Sequence, residues 1–163
     1  MDSREQRFSL ANAAYAAGVD WTRLKNWLDR GLITLDGAMP DPGKHRRFSF
    51  IDILRIAFIG RLCRFGVGPE EASMIVENLL GKDGGFILFK REKKPAPELL
   101  VNYFRWGVIT VWFDETEGRF EWNRVQRVAV PAGADAAQDA CIVLSLGQIT
   151  QAALEKAKEV SAE

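Results

Sequence analysis

The run from Phe50 to Phe65 constrains this chain more than any other segment. At helical spacing, Ile51, Leu54, Phe58, Leu62 and Phe65 fall on one narrow face, and Ile53, Ile56, Ala57, Ile59 and Cys63 cover much of the remainder. A helix apolar around most of its circumference has to pack against more than one neighbour. Ser49 stands immediately before it as an N-cap. The rest of the chain must therefore supply elements that surround this helix. Its 163 residues suffice for one domain or two small ones.

Helices with clear punctuation flank the run. Ser9 is placed to cap a short helix that extends to about Ala17 and is broken by Gly18. Asp20 is placed to cap a second helix, Trp21 to Arg30, ending at Gly31; Leu24, Trp27 and Leu28 are its inward positions. Residues 34–48 contain Asp36-Gly37, Pro40, Pro42 and Gly43, turn chemistry that predicts a loop or a small β-wing. Gly68-Pro69-Glu70-Glu71 starts a further helix, with proline in its first turn and acids facing the positive dipole end. Ala72, Ile75, Val76, Leu79 and Leu80 form its inner face.

Gly81-Lys82-Asp83-Gly84-Gly85 marks the main boundary, because three glycines in five residues cannot continue a helix cheaply. Beyond it the pattern turns strand-like: Phe86–Phe89, Val108–Phe113, Arg119–Trp122 after a turn at 114–118, Val125–Val130, and Cys141–Leu146. Leu99–Phe104 fits a short helix or a strand. Ser145 then opens a helix that runs to Val160. The fold class expected is α+β, with a mostly helical domain over residues 1–82 and a small mixed β-sheet module with a C-terminal helix over 83–163.

Two short helices joined by the Gly18-Val19 turn form a helix-turn-helix candidate. The alanines at 13, 14, 16 and 17 permit close helix crossing, and the second helix is then free to enter a major groove. Trp21, Thr22, Arg23, Lys25 and Asn26 occupy its first turns, and the arginine, lysine, asparagine and threonine carry donors suited to bases and phosphates. Charge favours the same half of the chain. The formal net charge is zero, yet residues 1–67 hold 11 lysines and arginines against 7 acids, and residues 68–163 hold 11 against 15.

The order of the parts adds to this. Phe8-Ser9-Leu10-Ala11, Gly18-Val19, Leu24-Lys25-Asn26-Trp27 and Arg30-Gly31-Leu32-Ile33 together resemble the DNA-binding domain of MerR-type regulators. Gly43-Lys44-His45-Arg46-Arg47-Phe48-Ser49-Phe50-Ile51-Asp52-Ile53 is similar to that family's wing and its next helix, and Phe65-Gly66-Val67-Gly68-Pro69-Glu70-Glu71-Ala72 to its loop into a fourth helix. The resemblance spans residues 8 to about 80. It implies a winged helix-turn-helix that binds double-stranded DNA through Trp21, Thr22, Arg23, Lys25 and Asn26 in the helix and Lys44, His45, Arg46 and Arg47 in the wing. The chain departs from the family after residue 80, where MerR-type regulators continue into a long dimerisation helix, and neither Cys63 nor Cys141 sits where a metal-sensing cluster needs it.

The expected function is thus a sequence-specific DNA-binding transcriptional regulator, acting as a homodimer, with the C-terminal module pairing two copies or meeting a protein partner. The alternatives are a phage-derived excisionase-like or small terminase-like DNA-binding factor, and a protein-interaction adaptor that uses the fold without DNA. No enzyme, cofactor or metal is expected. His45 is the single histidine, which leaves a Ser-His-Asp arrangement no base outside the wing, and no Walker-type phosphate loop is present. Lys90-Arg91-Glu92-Lys93-Lys94 reads as a solvated loop, and the aromatic stretch from Tyr103 to Trp122 as the core of a small sheet. Two widely spaced cysteines and the polar start Met1–Arg7 lead to the expectation of a cytoplasmic protein without secretory signal or membrane span.

Overall fold

A computed structural model describes residues 8–33, 35, 46–80, 97–105, 107–114, 117–125 and 141–161. Its element order is α1 (Leu10–Ala17), α2 (Trp21–Asp29), α3 (Phe50–Arg64), α4 (Pro69–Leu80), α5 (Pro97–Phe104), β1 (Val108–Asp114), β2 (Arg119–Val125), β3 (Cys141–Ser145) and α6 (Leu146–Glu159). The protein is mixed α+β and mostly helical, with a small antiparallel sheet and a C-terminal helix. The expected boundary at 81–85, the strand at 86–89, the basic run at 90–94 and residues 126–130 lie outside the described residues.

Helix α3 is the centre. Every residue from Asp52 to Gly60 is buried, and α1, α4 and α6 all pack against it. Its start is fixed by a reciprocal capping box: Ser49 Oγ accepts from the Asp52 N–H at 3.2 Å, and Asp52 Oδ2 accepts from the Ser49 N–H at 2.8 Å. The inner-face assignment needs correction at its ends. Leu54, Phe58 and Leu62 are buried, but Ile51 is only half-buried and Phe65 is 58% exposed, because Phe65 is the residue at which the helix stops. Two polar residues that the apolar pattern leaves unmarked, Asp52 and Arg55, are buried on the same helix.

The sheet has strand order β2-β1-β3, antiparallel throughout, with Ile109 opposite Leu144 and Val111 opposite Ile142. Ile109 and Val111, two apart and on one face, are both buried, as is Leu144. The Phe120 N–H on β2 donates to Glu71 Oε1 on α4 at 2.8 Å, which ties the sheet to the helices. Residues 97–104, open to two assignments in sequence, are helical from Pro97, with Glu98 in the first turn. Strand β2 continues through Val125, past the expected end at Trp122.

The N- and C-terminal halves share one hydrophobic core. Leu146, Ile149, Ala153, Leu154 and Ala157 of α6 belong to the same cluster as Leu24, Phe58 and Leu62. Phe104 on α5 meets Phe58 on α3 edge-to-face, with ring centroids 5.8 Å apart. The second side of α3 thus finds its neighbours in the C-terminal half. No helix among the described residues is long and apolar enough to cross a membrane.

Candidate nucleic-acid interface

Local chemistry sets α1 and α2 at their mutual angle. Ser9 Oγ accepts from the Asn12 N–H and starts α1. At its end Gly18 adopts φ 66°, ψ 35°, a left-handed conformation in which a side chain is strained, and the Gly18 and Val19 N–H groups bond the Tyr15 and Ala14 carbonyls. Asp20 then starts α2, its carboxylate accepting from the Arg23 N–H at 2.9 Å.

The turn is seated against α3. A Cβ on Gly60 would lie 2.5 Å from Val19 Cγ2, so only glycine at position 60 lets the α1–α2 turn come this close. Arg64, at the end of α3, donates to the Gly18 carbonyl at 3.0 Å. From the other side, α6 holds α1: Tyr15 Oη donates to Glu159 Oε2 at 2.8 Å, and Lys156 Nζ lies 5.4 Å from the centroid of the Tyr15 ring. Three elements far apart in sequence therefore fix the hinge between α1 and α2.

On α2 the division between inside and outside is sharp. Leu24 is fully buried and Trp27 is 6% exposed, both as expected, and Leu28 is half-buried. Trp21, Thr22, Arg23, Lys25 and Asn26 are all exposed, with Trp21 at 47%. Lys25 pairs with Asp29 one turn later, which neutralises the acid on this surface. Burial pushes the Cys63 thiol on α3 above its usual range, and Arg23 pulls it the other way, which places the Arg23 charge on the α3 side of α2. Arg61 and Arg64 are exposed at the end of α3, so basic character continues from α2 onto that helix.

A second segment joins from the other side of the fold. Phe8 and Phe48 form an antiparallel bridge, with Phe8 N–H to Phe48 O at 2.8 Å and Phe48 N–H to Phe8 O at 2.9 Å. Both rings are buried. This pins the chain just after Arg46 and Arg47. Arg47 is exposed; Arg46 is half-buried and has an interaction within the protein. Lys44 and His45 lie outside the described residues.

Sequence reasoning reached the α2 face through its periodicity. It missed the Arg64–Gly18 and Tyr15–Glu159 ties, which no local pattern signals, since the partners are 46 and 144 residues apart. The Ser49-x-x-Asp52 spacing, by contrast, does signal the capping box. Among the described residues no group of three or more histidine, cysteine or acidic side chains is placed to hold a metal ion. No protein-family model matches the chain, and no curated protein matches its sequence.

Proposed function

We propose that this chain binds double-stranded DNA and acts as a transcriptional regulator, with α1 and α2 as its helix-turn-helix and residues 34–48 as its wing. This is the MerR-type arrangement that residues 8–80 resemble. The observation that carries the proposal is the outer face of α2. Five residues with solvent-exposed side chains, Trp21, Thr22, Arg23, Lys25 and Asn26, follow a tight turn, and the buried Leu24 and Trp27 anchor the opposite face. A helix presented this way offers its first turns to base edges and phosphates.

The charge distribution supports the same reading. The exposed Arg23, Arg30, Arg47, Arg61 and Arg64 all belong to the N-terminal half, where the formal excess of basic residues lies. A single small module makes limited contact with DNA, so two copies paired through the C-terminal half supply the area that specificity requires.

Selection of duplexes from a random-sequence library by the full chain tests the proposal. Enrichment of a defined motif, with affinity that falls as salt rises, is the expected result. Failure to retain any duplex at low salt overturns it.

A further inference from the structure

Helical geometry ranks the exposed residues of α2. With 100° between successive positions, Leu24, Trp27 and Leu28 define the inward direction. Thr22, Asn26 and Asp29 then lie opposite, at the crest of the outer face. Arg23 and Arg30 fall on one flank, the side on which Arg23 acts on Cys63, and Trp21 and Lys25 fall on the other. Asp29, at the last residue of the helix, is paired with Lys25. That leaves Thr22 and Asn26 as the two crest residues in the N-terminal part of α2. Both are exposed, and the Asn26 side-chain amide has no hydrogen-bond partner among the described residues.

We infer that Asn26 is the specificity-determining residue of the interface and reads an adenine in the major groove. The inference rests on α2 being the DNA-reading helix. A side-chain amide presents a donor and an acceptor side by side. It matches adenine's N7 acceptor and N6 donor at once, a pairing that guanine, with acceptors at both N7 and O6, does not offer. Threonine one turn earlier brings a methyl group to the same crest, and a methyl is suited to contact with the C5-methyl of thymine. The crest of α2 is thus built for A·T pairs. Its guanidinium groups stand on the flank, turned toward α3, where phosphates are the nearer partners.

The test is duplex selection from a random library by the full-length chain and by its Asn26→Ala and Asn26→Arg variants. Melting curves verify that each variant is folded, as expected for an exposed position. Wild type should enrich a motif with an adenine required at one position. Asn26→Ala should lose preference at that position alone, with about 5- to 150-fold weaker binding to the wild-type duplex. Asn26→Arg should move the preference there from adenine to guanine, since arginine pairs with guanine's N7 and O6. A folded Asn26→Ala that selects the wild-type motif unchanged overturns the assignment and leaves DNA binding intact. So does loss of preference at a G·C position instead. If wild type enriches no motif at all, the DNA-reading proposal itself fails, and the assignment with it.

Discussion

Leu24 and Arg23 are neighbours in the chain with opposite duties. Leu24 is fully buried beneath α2, so Leu24→Ala should lower stability by about 2–5 kcal/mol through reduced burial and the cavity left behind. Arg23 and Lys25 point outward, and their alanine variants should melt within about 0.5 kcal/mol of wild type. Urea titration of the three proteins checks the contrast, and an equal loss in all three would contradict the assigned faces. Such residue-level distinctions were legible in the sequence because burial on a surface helix imposes its own spacing. Leu24 and Trp27 announced themselves in that way. The partners of Gly18 and Tyr15 did not, because contacts between distant segments are set by how whole helices pack and leave no mark near either residue.

At the scale of elements, caps decide where helices begin. Ser49 and Asp52 satisfy each other's backbone N–H groups, and Asp52 is almost wholly buried in doing so. Ser49→Ala and Asp52→Ala should each cost roughly 0.5–2 kcal/mol, and the double variant should cost less than the sum, since both changes dismantle one box. Chemical denaturation of the three variants reads this directly. The segment ending at Phe48 yields a different kind of prediction. Replacing Arg46 and Arg47 together should make the slope of log affinity against log salt shallower by about 0.9 for each phosphate no longer neutralised. An unchanged slope would mean that neither arginine meets the duplex. Element types were largely readable where periodicity ran long, as in α3 and α4. They were ambiguous at 97–104, where eight residues with apolar side chains at several phases fit either period and Pro97 with Glu98 gave the only start signal.

The whole molecule is more unified than its composition implies. The change from helical to strand-like sequence near residue 81 is real, yet α6 returns to pack on α1 and α3, and Phe104 packs on Phe58. No local pattern could reveal this, although the excess apolar surface of α3 demanded a partner from somewhere. A fragment of residues 1–82 lacks those partners. It should melt at a lower temperature and over a broader range than the full chain, as followed by circular dichroism. A sharp transition at the full-length temperature would show that the N-terminal helices are self-sufficient.

The central claim is that the outer face of α2 contacts DNA. Titration of a selected duplex with the full-length protein and with the Arg23→Ala/Lys25→Ala double variant, at matched melting temperature, tests it most directly. The account predicts weaker binding by the variant, with a loss of about 1–3 kcal/mol if Arg23 or Lys25 pairs with a guanine. Identical affinity of the two folded proteins for the same duplex would contradict it.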